Sequence, residues 1–473
     1  MPSSSQPNGR PGILVPGHVS EKAPGKRARF VAAVVAAVSS LLAAGPARAE
    51  GPGFKISDSL VLHLGASLGA GYDSNVFYSS GDTTGCSAVG LPTDPNRCDP
   101  ARGAAYLSFR PTLDIATNPV QRGGNEPHAL DFRLHLGLPL RFLLSTDPTL
   151  NQHYTIGAEG GLLLSIFPFG EWTVDLFDNF VRTSEPPYAL VRAAFVGAQA
   201  QNINNDQNQL GLRIRYRPGG GRLEATLQYT LGISYYESSP VLTAKSLLWN
   251  DFQLRLRWNF FPKTGVYINI SETTNNYVWG GTSPNTPPPA YPFRAVAGLI
   301  GLITPKLSVN LNVGYGNSFT QSNASYPNSP SYNLPIGLAE LEWRPGATTI
   351  LALGFRHDFS QALIGTYYML DTAYINYNQQ IWRLVGNIKF AWERRQYEGN
   401  LTADSLLNGR VDNILALHVG IDLPIKDYLI ISIGDDLAKD FSNCRLQSGA
   451  GVVNALPCDY LRNDVWLRLA LAY

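Results

Sequence analysis

Histidines are the side chains in this chain best suited to acid–base chemistry or metal binding, and they are scattered. Beyond residue 49 no two of them have the i, i+4 spacing of a helical metal site, and none belongs to an H-E-x-x-H motif. We therefore expect no enzyme, no cofactor and no metal centre. The histidines concerned are His63, His128, His135, His153, His357 and His418.

Cysteines offer a second kind of chemistry, the formation of disulfides. They fall into two pairs that are close in sequence, Cys86 with Cys98 and Cys444 with Cys458. An even number of cysteines in an exported chain indicates disulfide bonds. Pairing within each local pair is one of three connectivities, and crossed bridges stay open. Metal binding is the weaker alternative because no histidine and no C-x-x-C motif lies near them.

Charged side chains recur at every second position of apolar segments, and this spacing identifies the elements that must carry them. Over 130–142 every even position is Leu or Phe, whereas Asp131, Arg133 and Arg141 stand at odd positions. A sandwich would need the inner face of such a strand to be apolar. Large apolar groups on one face and charges on the other instead predict a barrel with lipid outside and water inside.

Eighteen segments of this kind predict an all-β fold, a transmembrane outer-membrane β-barrel of about 18 antiparallel strands. Tight connections alternate with long ones, as periplasmic turns and extracellular loops do in such barrels. The exceptions are the even-numbered connection Thr117–His128, which is long, and the odd-numbered connection Ser360–Gly365, which is short. In the segment 366–377 either Tyr374 or Ile375 could face outward, so we expect a bulge there. The segments are 60–72, 104–116, 129–142, 153–166, 171–181, 207–217, 221–236, 248–261, 264–275, 292–303, 306–317, 334–344, 348–359, 366–377, 381–394, 410–423, 427–438 and 462–473.

Composition agrees with this class and disfavours others. Charged residues make up 15% of the chain, against roughly 25% in ordinary soluble proteins. An aromatic content of 11% argues against disorder, and a net charge of +1 without basic blocks argues against a nucleic-acid binder. Past the N-terminus no run approaches the roughly 18 apolar residues of a membrane helix.

The two ends of the chain carry targeting patterns. A basic segment, Lys26–Arg29, precedes the apolar stretch Phe30–Gly45 and the small-residue site Ala47-Arg48-Ala49. This layout predicts a cleavable signal peptide over residues 1–49, with an N-terminal membrane anchor as the alternative. Residues 50–473 then form a single barrel, with only Glu50–Ser59 before the first strand and so no plug domain. Leu467, Leu469 and Leu471 alternate up to Tyr473, which resembles the signal recognised by the outer-membrane assembly machinery.

The predicted inner faces carry charges of both signs. A strong anion or cation pore should show a field of one sign. The balance here favours a neutral or mixed polar solute such as a glycan, although the charge pairs could equally serve only to support the barrel wall. The candidates for the lumen lining are Arg133, Arg141, Arg213, Arg215, Arg255, Arg257, Arg356, Arg383, Lys389, Arg468, Asp131, Glu159, Asp175, Glu224, Glu340, Glu342, Asp358, Glu393 and Asp422.

Four short motifs resemble those of the β-barrel porin 2 family: Gly71–Phe77, Arg215–Glu224, Phe260–Thr264 and Trp343-Arg344-Pro345. The resemblance spans most of the mature region and implies an outer-membrane barrel, often associated with exopolysaccharide export. Its motifs are turns and strands, so it implies no catalytic or binding residue. Asp73 and Asn75 are expected to organise the first loop, as Asx side chains do.

The function expected from the sequence is an aqueous conduit in the bacterial outer membrane. The solute is expected to be a secreted polysaccharide, delivered by a separate periplasmic polysaccharide-export protein. A general diffusion or uptake porin is one alternative. A closed structural or adhesive barrel acting through its extracellular loops is the other.

Overall fold

The structure is a computed structural model that describes most of the barrel region. The predicted signal peptide at residues 1–49, the four cysteines and Tyr473 lie outside the described residues. Those residues are 53–81, 100–118, 129–148, 150–185, 202–237, 243–280, 286–323, 326–327, 329–362, 366–398, 409–426, 428–443, 445–446, 456–457 and 459–472.

Eighteen antiparallel strands form a closed barrel, as the sequence predicts. The first and last strands pair with each other, Leu68 opposite Leu469, so the sheet closes on itself. The strands are β1 Leu60–Asp73, β2 Ala104–Thr117, β3 Leu130–Gly137 with Leu140–Leu144, β4 Thr155–Ile156 with Ala158–Ile166, β5 Trp172–Glu185, β6 Ile203–Tyr216, β7 Leu223–Tyr236, β8 Leu247–Phe261, β9 Thr264–Asn276, β10 Phe293–Thr304, β11 Leu307–Asn317, β12 Asn333–Gly346, β13 Thr349–Gln361, β14 Tyr367–Ile381, β15 Leu384–Glu398, β16 Val411–Lys426, β17 Leu429–Ser442 and β18 Tyr460–Ala472.

Two details differ from the sequence prediction. Strand β3 is interrupted at Leu138-Pro139 rather than continuous over 129–142, because proline has no N–H to donate to a neighbouring strand. Strand β14 pairs with β15 without a register shift, so the expected bulge is absent from it. Ile375 and Tyr377 are exposed on the outer wall, whereas the Tyr374 hydroxyl reaches Glu340 on the inner wall.

The segregation of short and long connections is confirmed. Two-residue turns join β8 to β9, β10 to β11 and β14 to β15, all at one end of the barrel. The turn from β6 to β7 has Gly219, Gly220 and Gly221 at φ of 60°, 77° and 86°, a left-handed backbone that L side chains rarely adopt. Apart from the twelve-residue connection between β2 and β3, the long connections lie at the other end, which we call the extracellular end by the convention of outer-membrane barrels.

The outer wall is an apolar band bounded by aromatic residues. On β8 the outward side chains Phe252, Leu254, Leu256 and Trp258 are between 40% and 54% exposed. A continuous row of exposed apolar side chains indicates a surface that contacts an apolar medium outside the protein. Exposed aromatics lie near both rims, as at membrane interfaces: Trp172, Trp343 and Trp382 at the short-turn end, and Tyr72, Tyr315 and Phe441 at the extracellular end. Within the described residues no helix is long and apolar enough to cross a membrane.

Candidate pore lumen

Contacts that skip strands identify the inner wall. Arg110 on β2 donates from Nε to Glu159 on β4 across β3, at 2.5 Å. Arg294 on β10 donates from Nε to Asp358 on β13 at 3.0 Å, across two strands. Side chains can bridge this many strands only on the concave face of the sheet. The faces that carry the alternating charges therefore line the lumen.

Most of the lumen charges are neutralised in pairs. Asp175 on β5, almost fully buried, accepts a hydrogen bond from Arg215 at 3.0 Å and lies 3.9 Å from Arg213. Arg133 donates to Asp131 at 3.3 Å, and a further guanidinium, that of Arg356, donates to Asp358. Asp358 is shared with Arg294 in the same way, so charges of opposite sign stand in contact along the described lumen, which has no extended wall of one sign.

Other predicted lining residues contact aromatic or amide groups. The Arg255 guanidinium lies 4.2 Å from the centre of the Tyr267 ring. Glu340 accepts hydrogen bonds from the Asn310 amide at 2.8 Å and from the Tyr374 hydroxyl. Glu224 and Arg257 stand directly opposite each other on β7 and β8.

Three further predicted residues lie in different settings. Lys389 is on β15, opposite His418 of β16, and Arg468 on β18 lies 4.9 Å from the centre of the Trp466 ring. Arg383 is not on a strand: it lies in the two-residue turn after β14, with its guanidinium 5.5 Å from the Trp382 ring. The tight turn uses two residues that the sequence pattern assigned to the strand, so the prediction for Arg383 is corrected.

An ion network joins the barrel seam at its extracellular end. Asp73 at the end of β1 is 1% exposed and accepts two hydrogen bonds from Arg462 of β18, from Nε at 3.1 Å and from Nη2 at 2.8 Å. Arg141 of β3 donates to the same carboxylate at 3.0 Å and lies 3.8 Å from the centre of the Tyr106 ring. One buried carboxylate therefore holds β1, β3 and β18 together.

Asp73 and Asn75 organise the start of the first loop, as the sequence predicts. The Asn75 N–H donates to Asp73 Oδ1 at 3.1 Å, and Asn75 Oδ1 accepts from the Ser79 N–H at 2.8 Å. The Asn75 amide also donates to the Leu461 carbonyl of β18 at 3.0 Å. The resembling motif Gly71–Phe77 is thus an Asx turn that is attached to the closing strand.

The upper part of the β13–β14 hairpin leaves the wall and leans into the lumen. β13 pairs with β12 only as far as His357, opposite Gly337, but with β14 as far as Gln361, opposite Tyr367. The Gln361 Oε1 accepts a hydrogen bond from the Asn275 amide at 3.3 Å, although Asn275 lies on β9 and three strands intervene. The short connection after β13 therefore belongs to a hairpin that narrows the channel.

A small hydrophobic cluster holds this hairpin inward. Phe359 stacks on Tyr332 with ring centres 4.6 Å apart, and Ile336 and Tyr367 complete the buried cluster. Gly316 on β11 makes room for it, because a Cβ there would come within 2.8 Å of the Phe359 ring. Burial raises the pKa of Tyr332 to about 12, so its hydroxyl stays protonated and donates to the Pro335 carbonyl at 2.8 Å.

The reasoning from sequence missed several residues that shape the lumen. Arg294 and Arg462 stand at or near the ends of their strands, where the sequence pattern does not show which residues face inward. Phe177 and Trp249 were missed because only the inward charges were selected. An aromatic residue directly opposite an inward glycine, such as Phe177 opposite Gly211, indicates a ring that lines the lumen once the pairing register of the strands is known.

A serine in a G-x-S-x-G pentapeptide, Ser67, has no nucleophile geometry. It lies within β1, between β2 and β18, and not on the strand-to-helix turn that exposes such a serine in hydrolases. Among the described residues no group of three His, Cys, Asp or Glu side chains could hold a metal ion.

The last extracellular loop leads to a prediction for the cysteines. Its described part contains a short ladder in which Arg445 lies opposite Pro457 and Leu446 opposite Leu456. Because Cys444 precedes and Cys458 follows these paired residues, we predict a Cys444–Cys458 bond. Non-reducing peptide mapping should recover these two cysteines in one cross-linked peptide, and recovery of Cys444 linked to Cys86 or Cys98 would contradict the prediction.

Comparisons with known proteins give distant structural similarity only. No protein-family model and no curated protein matches the chain. Among solved structures, OccAB4 of Acinetobacter baumannii is 8% identical with a TM-score of 0.42, covering 89% of this chain and 100% of its own. OpdK of Pseudomonas aeruginosa with vanillate is 9% identical with a TM-score of 0.43, covering 87% and 99%. The FrpB iron transporter of Neisseria meningitidis is 8% identical with a TM-score of 0.45, covering 87% and 82%. The assignment of the fold therefore rests on the closed strand pairing of this chain.

Proposed function

We propose that this chain is an outer-membrane porin that conducts secreted polysaccharide through an aqueous lumen. The observation that carries the proposal is the contact between lumen charges of opposite sign, as at Arg133 with Asp131 and Arg110 with Glu159. A wall of mixed sign presents many hydrogen-bonding groups without a field of one sign and so suits an uncharged, hydroxylated solute. A separate periplasmic polysaccharide-export protein would deliver the chain to the short-turn end.

The inward hairpin favours a second candidate, a porin for the uptake of small solutes. The contact of Gln361 with Asn275 narrows the channel near its extracellular mouth. A narrow mouth admits small molecules as readily as it passes an extended glycan. Direction of transport separates the two candidates.

The lumen should conduct ions with weak selectivity. Because its charges are paired, we expect stable single channels in planar bilayers, with a K⁺ to Cl⁻ permeability ratio within a factor of about three of unity. Protein extracted from outer membranes, with native disulfides intact, is the sample to use. Absence of conductance would favour the closed, adhesive barrel, and strong selectivity would contradict a neutral solute.

Deletion of the gene tests the direction of transport. We expect loss of surface polysaccharide with unchanged growth on limiting nutrients, and restoration by the intact gene. A deletion that slows nutrient entry but leaves the surface polysaccharide intact would instead support the uptake porin.

A further inference from the structure

A cavity of about 740 Å³ lies in the lumen. Gln361 at the end of β13 forms one side of it, and residues of β4 to β9 form the other. Its volume falls within the range of small-molecule binding sites. The hairpin thus borders an open recess of the lumen in addition to narrowing the channel.

Two aromatic rings lie flat against this wall, each in the space left by a glycine. A Cβ at Gly211 would come within 2.1 Å of the Phe177 ring, and one at Gly232 within 1.9 Å of the Trp249 ring. Phe177 on β5 and Trp249 on β8 therefore lean over the two strands between them. The two glycines are diagonal neighbours on β6 and β7, since Gly211 lies opposite Thr230 and Gly232 opposite Gln209, which places them about 7–8 Å apart.

The rest of the lining consists mainly of amides and hydroxyls. Its two charged groups have opposite sign and both are engaged: Arg213 donates to Gln228 at 2.8 Å, and Asp251 accepts from the Thr273 hydroxyl at 2.8 Å. A phosphate or carboxylate ligand would need unpaired basic groups, and a purely apolar ligand would leave these polar groups unpaired. The amides and hydroxyls of the lining are Asn179, Gln209, Gln228, Thr230, Thr273, Asn275 and Gln361.

We propose that this cavity is a binding subsite for an uncharged carbohydrate segment. The faces of Phe177 and Trp249 stack on the apolar faces of sugar rings, and the amides exchange hydrogen bonds with the sugar hydroxyls. The proposal rests on the proposed function, because the subsite lies on the path through the lumen. It adds the place in the lumen where the carbohydrate binds and the residues that contact it.

The test is block of single-channel current by a neutral linear oligosaccharide, maltohexaose, added at the extracellular side. We expect transient blocking events in the unmodified channel. The Trp249→Ala variant should weaken the block about tenfold, equivalent to about 1.4 kcal/mol, whereas Trp249→Phe should keep most of it. Trp466→Ala is the matched control, because the Trp466 ring also covers a glycine, Gly434, but lies outside the cavity lining.

Each outcome is decisive. Conductance without block, or block that Trp249→Ala leaves unchanged, would overturn the subsite while leaving the pore intact. Absence of conductance would overturn the proposed function. In that case, calorimetric titration of the detergent-solubilised barrel with maltohexaose still measures whether the oligosaccharide binds at the subsite. Heat-modifiable gel migration checks that every variant is folded.

Discussion

Removing the Phe359 ring should open the channel. Phe359→Ala removes a buried side chain from the cluster that holds the β13–β14 hairpin inward, a change that costs about 3–5 kcal/mol in a packed core. The hairpin retains its own β13–β14 pairing as far as Gln361, so the expected result is release from the lumen and not unfolding. Single-channel conductance in planar bilayers should rise by a factor of about two or more as the narrow section widens.

The matched control lies four residues away on the same strand. Phe355→Ala truncates a ring that is 45% exposed on the lipid-facing wall and should leave conductance unchanged. A second route to the open state is Arg294→Ala, which removes the hydrogen bonds to Asp358 and to the Phe359 carbonyl. Equal conductance in Phe359→Ala and the parent channel would mean that the hairpin does not limit the current.

Loss of the Asp73 carboxylate should be the most destabilising single change at the seam. Asp73→Ala removes the more deeply buried of the two carboxylates that Arg141 and Arg462 share, the other being Asp464 at 3.4 and 3.6 Å, and removing one partner of a buried ion pair costs about 3–5 kcal/mol. The free energy of unfolding in urea, measured on barrels in lipid vesicles, should fall by this amount. Because Asp73 also accepts the Asn75 N–H, the first loop should become more sensitive to protease in the same variant.

Two further variants separate the loss of the buried charge from the loss of the hydrogen-bond acceptor. Asp73→Asn keeps an acceptor for the Asx turn but removes the charge, so it should recover the protease resistance more than the stability. Asp114→Ala removes a lumen carboxylate that is 44% exposed and contacts His135, and it should cost no more than about 1 kcal/mol. A loss in Asp73→Ala as small as that in Asp114→Ala would show that the seam does not depend on this carboxylate.

The strands of this fold were predictable because alternation is a local property. Each strand must place apolar groups toward lipid and polar groups toward water, so the period of two appears in every segment, as in β8 with Phe252, Leu254 and Leu256. The alternation of short turns and long loops added the direction of the strands. The interruption of β3 at Pro139 could have been expected from the missing N–H of proline.

The contacts within the lumen were not predictable in the same way. Alternation places Asp175, Arg213 and Arg215 on the inner wall, but only the register between β5 and β6 brings them together. The inward lean of the hairpin depends on Phe359 meeting Tyr332 and the gap at Gly316, residues that are far apart in sequence. The short length of the connection after β13 marked it as unusual but did not show that the hairpin leans into the lumen.

The departure of β13 from β12 also fixes the depth of the barrel in its bilayer. Above Gly337 and His357 these two strands no longer hydrogen-bond to each other. Polar side chains such as Arg294, which donates to the Phe359 carbonyl, take the place of the ladder there, and such a gap does not occur where strands face hydrocarbon. At the same level His357, Asp371 and Arg394 stand side by side on β13, β14 and β15, on the face that carries Phe355 and Phe390. His357 Nδ1 lies 2.5 Å from Asp371 Oδ1, and ionisable side chains of this kind belong among headgroups. The outer limit of the hydrocarbon therefore runs just below this row, and the cluster around Tyr332 lies above that level, inside the barrel.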